Sequence, residues 1–390
     1  MTATAIYADR ALTPLEEITD CVVLVEDRRI SAVGRRDSVR VPPGACEIRA
    51  PGMTIVPGFV DVHIHGAGGH DVMEADPAAL DAVARTAARF GTTSLVATTV
   101  TAALDPTCHS LEGIARFIRD KSPPGGDAPE AEILGIHFEG PFISHARRGV
   151  HPEDWIAVPS ASSLSRMLGA AAGCGKILTL APELPGALDL VDAARAEGLV
   201  VAMGHTDAIY DEAQAAIQRG ARHAVHVFNA MRPFSHRETG VLGAVLTSPD
   251  VTTELIADGV HVDPAAMRLL FAAKGAARVV LVSDATSAAG MPDGTYRLGT
   301  FEVTVSGGVC RNIHGRLAGS TLTLDRALRN VVALGVPLPD AARMLTLNPA
   351  TLLGLELTKG VLAPGADADL VLLNSDMHVA GVMTRGAGFN

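Results

Sequence analysis

Six side chains that could bind a metal ion or carry a proton stand at the ends of five predicted strands of this 390-residue chain. They are His63, His65, Glu139, His205, His226 and Asp284. One carboxylate with two imidazoles suits a divalent cation such as Zn²⁺, and a coordination position left open for water is typical of a catalytic site rather than a structural one. The pair His63 and His65, spaced i and i+2, places both imidazoles on one face of a strand. The pattern predicts a catalytic metal centre.

Each of these side chains also has a purely structural interpretation. An isolated His-x-His pair is more often two hydrogen-bonded strand histidines than a metal site. Glu139 could be a core carboxylate, although such groups are rarely buried without a partner, and Asp284 could cap a following helix. His205 and His226, taken alone, could equally be structural. The metal centre is favoured because all of these residues would meet on one rim. His223 should face the other side of its strand and is interpreted as structural.

Strands and helices alternate through the middle of the chain. The predicted strands are Phe59–His65, Thr93–Thr98, Glu132–Glu139, Ile177–Ala181, Leu199–Gly204, His223–Phe228, Thr253–Ala257 and Arg278–Ser283. Helix-like segments between them include Pro77–Phe90, Leu111–Lys121, Ala187–Glu197, Tyr210–Arg219 and Pro264–Lys274. Eight such units predict an α/β protein with a (β/α)8 TIM-like barrel, although a doubly wound open sheet has the same periodicity. Because barrel enzymes carry their chemistry at the carboxyl ends of the strands, the six polar side chains favour the barrel.

Both ends of the chain have β character. Short β-like segments fill residues 1–56, and a strand pattern returns in residues 360–390, with Leu370–Leu373 as its most apolar part. We expect these two segments to fold together as a small β-sandwich domain beside a barrel formed by residues 57–359. A strand-rich insert, Gly294–Gly319, should follow the eighth barrel strand.

Composition limits the partners and the compartment. The formal net charge is −11 with a pI near 5.7, so the surface repels nucleic acid and anionic membranes. No apolar run approaches the roughly 20 residues that a membrane helix needs, and the start of the sequence has no signal-peptide pattern. The five cysteines are scattered without a C-x-x-C spacing, which is typical of reduced cytosolic thiols. The sequence therefore predicts a cytoplasmic protein that binds neither nucleic acid nor membrane.

Seven motifs together resemble one enzyme family. They are Pro57–Gly66, His137–Phe142 with Gly149–Pro152 behind it, Gly204–Asp207, His226–Met231, Ala257–Asp263, Ser283–Thr286 and Leu317–Ser320. On these motifs the sequence resembles the N-acetylglucosamine-6-phosphate deacetylases of the metal-dependent amidohydrolase superfamily, over nearly its full length. The first-strand histidines and the eighth-strand aspartate are superfamily-wide signals. The Glu-Gly-Pro, Phe-Asn-Ala-Met and Asp-Gly-Val-His runs are specific to the deacetylases.

The resemblance implies a role for each site residue. The principal metal ligands would be Glu139, His205 and His226, with Asp284 as general base and a further metal contact. His261 would polarise or orient the acetamido carbonyl. Substrate contacts would come from Val150, His151, Asn229, Ala230, Arg237, His261, Leu317, Ala318 and Gly319. Among these, His151 and Arg237 would bind the phosphate, and Arg237 would reach the active site of a neighbouring subunit, which implies a homodimer.

The resemblance also implies the cofactor and the reaction. Zn²⁺ is the expected metal, with Fe, Mn or Co as alternatives, and the presence of both His63 and His65 gives capacity for one or two ions per subunit. The reaction would convert N-acetylglucosamine 6-phosphate, a phosphorylated amino sugar, to glucosamine 6-phosphate and acetate. One alternative is a cyclic amidase or deaminase of the same superfamily. Such enzymes commonly use a carboxylated lysine at a strand end, and none of the four lysines has that position. The other alternative is a non-catalytic barrel scaffold.

Overall fold

The structure of the protein is a computed structural model that describes residues 3–13, 15–121 and 128–389. Its amino-terminal strands are β1 (Ala3–Leu12), β2 (Glu17–Glu26), β3 (Arg29–Arg35) and β4 (Cys46–Pro57). β1 pairs antiparallel with β2 and parallel with β4, so it lies in the middle of this sheet. Ile6 and Ala8 are buried on one face of β1, and Ala5 and Tyr7 are buried on the other.

The barrel begins directly after β4. Its strands, with a short β6–β7 ribbon among them, are β5 (Phe59–Ile64), β6 (Gly66–Ala67), β7 (His70–Asp71), β8 (Thr92–Thr99), β9 (Glu132–Glu139), β10 (Gly175–Leu180), β11 (Val200–Met203), β12 (His223–Ala224), β13 (Thr252–Ile256) and β14 (Val279–Val282). Within the described residues, β5 and β8 to β14 form one eight-stranded parallel sheet in sequential order. The first and last strands meet at a bridge between Ile64 and Ala285, where Asp284 N donates to His63 O at 2.9 Å. The ring is thereby closed.

Helices cover the outside of the ring. They are α1 (Pro77–Arg89), α2 (Leu104–Asp120), α3 (Ala161–Ala171), α4 (Ala187–Ala196), α5 (Tyr210–Arg219), α6 (Gly240–Thr247), α7 (Pro264–Lys274), α8 (Leu324–Ala333), α9 (Leu338–Leu345) and α10 (Leu347–Leu352). Single 3₁₀ turns occur at Val72–Glu74, His145–Arg147, Glu153–Trp155 and Ala276–Arg278. α1 begins where Asp76 accepts from Ala78 N and Pro77 occupies the first turn, both of which favour a helix start. Its apolar stripe, including Leu80 and Val83, packs on the strands.

The strands differ from their predicted bounds mainly at β12. The sequence predicts a strand over His223–Phe228, but only His223 and Ala224 have regular strand geometry. Beyond them His226 and Phe228 take positive φ angles of 28° and 81°, which ends the extended conformation. Val227 N nevertheless donates to Glu254 O at 3.0 Å, so this segment stays against β13. The helices α3 and α6 were not predicted.

The insert after the eighth barrel strand forms a separate antiparallel sheet. Its strands are β15 (Gly294–Leu298), β16 (Phe301–Ser306) and β17 (Val309–Asn312). Leu298, Val303 and Val305 pack against Val100 and Ala318 near the carboxyl ends of the barrel strands. The insert therefore lies over one side of the region where the six polar side chains are found.

The chain returns to the first sheet at its end, through β18 (Leu370–Leu373), β19 (Val379–Thr384) and β20 (Ala387–Gly388). β18 pairs with β4, which gives one seven-stranded sheet. The sheet curls until the β2–β3 hairpin meets residues 365–368, where Ile30 N donates to Ala366 O at 2.9 Å. The predicted barrel with a small β domain built from both chain ends is confirmed. The two layers expected of a β-sandwich are formed in the small domain by one curled seven-stranded sheet.

A buried lysine joins this sheet to the barrel. Lys359 Nζ lies 2.6 Å from Glu132 at the start of β9, and 2.9 and 2.8 Å from Asp367 and Asp369. Arg385 adds a second contact to Glu132 at 3.0 Å. Lys359 is only 4% exposed, so these ion pairs are largely shielded from water.

In the described part of the chain, no helix is both long and apolar enough to cross a membrane.

Candidate metal centre and active site

The six predicted side chains converge at the carboxyl ends of the barrel strands, and none is more than 8% exposed. His63 lies within β5 and Glu139 is the last residue of β9. His205, His226 and Asp284 each lie two residues beyond the end of a strand, with φ angles of 47°, 28° and 46°. A side chain other than glycine at positive φ costs on the order of 1 kcal/mol. Such strain is typical of functional sites. The positive φ angles direct these three side chains into the mouth of the barrel.

The three predicted principal ligands meet at a single point. Glu139 Oε1 lies 3.1 Å from His205 Nε2 and 3.0 Å from His226 Nε2. The two Nε2 atoms are themselves 3.0 Å apart. Two neutral imidazoles that turn lone pairs toward the same carboxylate oxygen repel one another unless a cation lies between them. The donor set of two nitrogens and one oxygen fits a divalent metal ion with a free position.

A second group of ligand atoms adjoins the first. His65 Nε2 lies 3.2 Å from Asp284 Oδ1 and 3.4 Å from Glu139 Oε2. His63 Nε2 lies 3.3 Å from Glu139 Oε1 and 3.8 Å from Asp284 Oδ1. His63 Nε2 is also buried without a hydrogen-bond partner among the described residues, an expensive state that a metal ion would relieve. Glu139 therefore contacts both groups, and together they would give room for one or two ions.

The electrostatics of the cluster prepare it for a cation. Burial alone would raise the pKa of the Glu139 carboxyl, but His63 and hydrogen bonds from other imidazoles lower it well below its usual value. Burial opposes the shift at Asp284 as well, yet the His65 hydrogen bond and the charge of His63 lower its pKa. Burial lowers the pKa of His205 to about 4. At neutral pH the two carboxylates are charged and His205 is neutral, the states that metal binding requires. Burial opposes the shift, but the neighbouring carboxylates raise the pKa values of His63, His65 and His226, so these imidazoles would release protons as a cation binds.

Glu254, in β13, is a supporting residue that the sequence interpretation missed. It is fully buried and lies behind the cluster, with Oε2 2.8 Å from His63 Nδ1 and Oε1 2.9 Å from His223 Nε2. His226 N donates to Oε2 at 3.1 Å. The only available signal was an acidic residue in an otherwise apolar predicted strand, the same signal that singled out Glu139. His223, interpreted as structural, therefore contacts the metal cluster indirectly through Glu254.

Hydrogen bonds to Nδ1 orient two further imidazoles in the same way. His65 Nδ1 lies 3.0 Å from Thr98 O, and His205 Nδ1 lies 3.1 Å from Arg147 O. Because a carbonyl can only accept, Nδ1 carries the proton in both rings, and Nε2 presents its lone pair to the cluster. Such outer contacts fix the tautomer of metal-binding histidines.

A cavity of about 210 Å³ opens beside the cluster. Its lining contains most of the predicted site: His65, Glu139, Val150, His151, His205, His226, Asn229, Ala230, His261, Asp284, Leu317 and Gly319. Val100 and Leu298 complete an apolar side that the sequence interpretation did not identify. Leu298 comes from the insert, so the small β15–β17 sheet forms one wall of the cavity.

His261 is held toward this cavity by an aspartate. Its Nδ1 lies 2.7 Å from Asp258 Oδ2, and Asp258 Oδ1 accepts from Val260 N and His261 N, both at 2.8 Å. The hydrogen bonds and charge of this imidazole lower the pKa of Asp258, although burial opposes them. With Nδ1 occupied, Nε2 is the atom of His261 that remains to contact a ligand.

Three predicted substrate contacts differ in their surroundings. His151 is buried, with Nδ1 2.8 Å from Thr101 Oγ1 and Nε2 3.4 Å from Glu139 Oε2, so it lies at the metal end of the cavity and its phosphate role stays a prediction. Ala318 is fully buried in the insert's apolar cluster and its side chain does not line the cavity. Arg237 is exposed at the tip of a turn closed by Ser235 and Glu238, outside the cavity of its own chain.

Comparison with known proteins agrees with this geometry. Residues 54–387 match the amidohydrolase family. The N-acetylglucosamine-6-phosphate deacetylase of Bacillus subtilis is 37% identical over 377 residues, 96% of this chain and 94% of the relative. A mutant of the Mycobacterium smegmatis N-acetyl-D-glucosamine-6-phosphate deacetylase, solved with N-acetyl-D-glucosamine-6-phosphate, superimposes with a TM-score of 0.92 at 37% identity, covering 100% of this chain and 99% of that one. The chain belongs to the amidohydrolase family and groups with its N-acetylglucosamine-6-phosphate deacetylases.

Another relative in this amidohydrolase group is named for a different sugar, N-acetylgalactosamine 6-phosphate. The N-acetylgalactosamine-6-phosphate deacetylase of Escherichia coli O157:H7 is 40% identical over 333 residues, 85% of this chain and 86% of the relative. The family resemblance inferred from the motifs is therefore confirmed.

The alternative interpretations fit this amidohydrolase less well. A carboxylated lysine at the carboxyl end of a strand, as in cyclic amidases, is not available among the described residues. Lys176 is near the start of β10, Lys274 ends α7, and Lys121 and Lys359 lie outside the strands. Glu139 lies at such a strand end instead. A non-catalytic scaffold predicted missing ligands, whereas all six lie together.

Proposed function

We propose that the protein hydrolyses the acetamido group of N-acetylglucosamine 6-phosphate to give glucosamine 6-phosphate and acetate. The observation that carries the proposal is the position of Asp284, whose carboxylate lies 3.2 Å from His65 Nε2 and lines the same cavity as His261. A proton acceptor, a metal-binding cluster and an oriented imidazole thus surround one small space. The named activities of the relatives support the same reaction.

Zn²⁺ is the cation that we propose for the cluster. Glu139, His205 and His226 would hold it, because imidazole and carboxylate donors with an open position suit catalytic zinc; Fe, Mn or Co have overlapping preferences. His63, His65 and Asp284 would give room for a second ion. A bound cation would supply Lewis acidity and make a water molecule acidic enough to lose its proton near neutral pH.

The residues of the chain have distinct parts in the reaction. Asp284 takes a proton from the attacking water as the new C–O bond forms at the acetamide carbonyl. His261, fixed by Asp258, contacts the acetamido group through Nε2, and in its doubly protonated form it donates a hydrogen bond to the developing oxyanion. Asp284 then gives its proton to the nitrogen as the C–N bond breaks, because an amide anion is too basic to leave unprotonated. The products are acetate and the free amine.

Arg237 is the proposed phosphate ligand, donated by a second subunit of a homodimer. Neighbouring loop arginines are already neutralised: Arg147 and Arg232 contact Asp207 at 2.7 and 3.0 Å, and Arg148 contacts Glu153 at 3.0 Å. Arg237 forms no ion pair with a described residue of its own chain, and its guanidinium could grip phosphate oxygens in bidentate fashion. Phosphate binding far from the reacting bond would serve to orient the sugar.

The cytoplasm is the proposed compartment. All five cysteines are unpaired in the structure, as is usual where thiols are kept reduced. A phosphorylated sugar as substrate agrees with an intracellular reaction.

An acetate-release assay tests the function. The metal-loaded protein should release acetate from N-acetylglucosamine 6-phosphate, far less from unphosphorylated N-acetylglucosamine, and none after chelation. N-Acetylgalactosamine 6-phosphate and a cyclic amide such as dihydroorotate complete the substrate set. Turnover of the cyclic amide in preference to both sugar phosphates would overturn the proposal, and so would activity that resists complete metal removal.

A further inference from the structure

A second and larger cavity lies at the opposite end of the barrel. Its volume is about 650 Å³, and it is lined by Arg195, Gly198, Leu199, Val200, Val201, Gly220, Arg222, Asp250, Thr252, Ala277, Arg278, Arg343, Asn348, Thr351 and Leu352. Val200 and Thr252 are the first residues of β11 and β13. Because parallel strands all start at one rim, this cavity is at the amino-terminal face, away from the metal cluster.

The charge of this cavity is opposite to that of the protein. Four arginines, Arg195, Arg222, Arg278 and Arg343, face a single carboxylate, Asp250. None of the four is within ion-pair distance of a carboxylate among the described residues, although Arg219 on the adjoining helix end contacts Asp189 and Asp192 at 3.2 and 2.7 Å. A net positive cavity on a chain of net charge −11 concentrates the attraction for anions in one place.

Helix capping explains these arginines only in part. Arg195 donates through one guanidinium nitrogen to Arg219 O at 2.8 Å, and Arg222 donates through one to Ile217 O at 2.6 Å. Both contacts are favourable at the carboxyl end of α5. Each guanidinium has five N–H donors, however, and most of them remain free of described partners. Arg278 makes no side-chain hydrogen bond to a described residue, so capping gives it no role.

The wall that carries the fourth arginine is rigid. Arg343 Nε donates to Asn348 Oδ1 at 3.1 Å. Asn348, 4% exposed, donates in turn to Ala276 O and Val279 O, both at 2.7 Å. The Arg343 guanidinium is therefore oriented before any ligand arrives, which lowers the entropic cost of binding.

We propose that this cavity binds a small phosphorylated metabolite with at least two anionic groups. The volume is within the usual range for small-molecule sites. Guanidinium groups bind phosphate oxygens in bidentate fashion, and four of them with one carboxylate match a ligand of charge about −3 or more. A single phosphate monoester carries a charge of about −2 at most and would leave the cavity net positive. The concave shape and the net negative charge of the protein disfavour nucleic acid and membranes.

Hydrogen bonds connect the floor of this cavity with the metal cluster. Thr252 Oγ1 lies 2.7 Å from His223 Nδ1, His223 Nε2 lies 2.9 Å from Glu254, and Glu254 lies 2.8 Å from His63. A ligand that shifts the start of β13 would therefore move groups that orient His63. We expect occupancy of the cavity to change kcat or KM for acetate release.

Binding of fructose 1,6-bisphosphate to the metal-loaded protein, measured by isothermal titration calorimetry, tests the site. Saturable binding should weaken at high salt, and glucose 1-phosphate should bind more weakly. Arg278→Gln should raise Kd about tenfold, as expected for loss of a charge-assisted hydrogen bond, and addition of Arg343→Gln should raise it further. Arg219→Gln, outside the cavity and already ion-paired, is the matched control and should not change Kd.

The outcomes separate this site from the active site. Absence of saturable binding, or a Kd that Arg278→Gln leaves unchanged, would overturn the proposal. A Kd that instead rises only in Arg237→Gln would place the probe in the active site and overturn it equally. The Arg278 side chain has no hydrogen bond or ion pair with a described residue, so its variant should melt like the wild type. If the probe binds but kcat and KM stay the same, the site stands and the connection through Thr252 is refuted.

Discussion

His63 Nδ1 lies 2.8 Å from Glu254 Oε2, and both side chains are fully buried. Glu254 accepts hydrogen bonds from three donors, since His223 Nε2 and His226 N also contact it. This carboxylate keeps the proton of His63 on Nδ1 and leaves Nε2 free for a metal ion. One acidic residue in β13 thus orients a ligand on β5, two strands away around the closed barrel.

Glu254→Gln should weaken metal binding. The amide has one oxygen acceptor and an NH₂ group that must face a donor N–H, so at least one of the three hydrogen bonds is lost. Loss of such an outer contact typically lowers metal affinity about 10- to 100-fold. Competition with a chromophoric chelator would measure the affinity of each ion. The exposed Glu197→Gln variant is the control, and equal affinities in both variants would refute the orienting role of Glu254.

Asp284→Asn should abolish turnover while leaving the principal metal in place. The amide cannot accept the proton of the attacking water, and loss of general acid–base catalysis costs about 10²- to 10⁴-fold in rate. Glu139, His205 and His226 contact one another without Asp284, so they can hold one ion in the variant. Acetate release and metal content, measured on the same sample, provide the check. A variant with kcat close to wild type would remove Asp284 from the mechanism.

The sequence alone was sufficient to predict the barrel and the polar residues at the carboxyl ends of its strands. Strand periodicity located the eight barrel strands to within a few residues, because fully buried strands such as Val279–Val282 read as continuous apolar runs. The ligand residues stood out because ionisable side chains are rare in such apolar, buried strands. Glu254 had the same signal, but it lies in the middle of its strand, and its partners His63 and His223 are distant in sequence.

Other features depend on tertiary contacts that a sequence does not display. The helix α6 has the sequence GVLGAVLT, which is apolar all round and carries two glycines, so no helical stripe is visible. It is helical because it is buried against its neighbours on every side. The arginine-lined cavity draws on residues from Arg195 to Leu352. Only the closed barrel brings these strand starts and helix ends together.

Arg237→Gln should impair binding of phosphorylated substrate selectively. Loss of a charge-assisted contact should lower kcat/KM for N-acetylglucosamine 6-phosphate about 10- to 100-fold and should leave the unphosphorylated sugar nearly unaffected. Arg148→Gln, in which the lost arginine was already paired with Glu153, is the matched control. An equal loss with both sugars would contradict phosphate recognition by Arg237.

Coexpression of two inactive variants tests whether Arg237 acts across a dimer. In a mixed dimer of Arg237→Gln and Asp284→Asn subunits, one active site has an intact Asp284 and receives Arg237 from its partner. Coexpression should therefore restore part of the activity that each variant lacks alone. If Arg237 acted within its own chain, no site in the mixed dimer would be complete and the activity would stay low.

Lys359→Met should destabilise the fold strongly. Removing the ammonium leaves Glu132, Asp367 and Asp369 close together without their shared cation, and breaking a buried ion pair on one side costs about 3–5 kcal/mol. Urea unfolding at neutral pH would measure the change in the free energy of unfolding. Lys176→Met removes a partly exposed lysine that has no ion pair among the described residues, and it should cost much less. Equal stabilities of the two variants would show that the Lys359 cluster does not join the sheet to the barrel.

The same residue predicts a loss of stability at high pH. Burial alone would lower the pKa of Lys359, but Asp369, Glu132 and Asp367 raise it above its ordinary value. The folded chain therefore keeps this proton when the unfolded chain, with a pKa of about 10.4, has lost it. The contribution is fully present below pH 10 or so and declines as the pH rises through the unfolded pKa toward the folded one. The difference in unfolding free energy between wild type and Lys359→Met should accordingly shrink above about pH 10, and a difference that grows there would contradict the raised pKa.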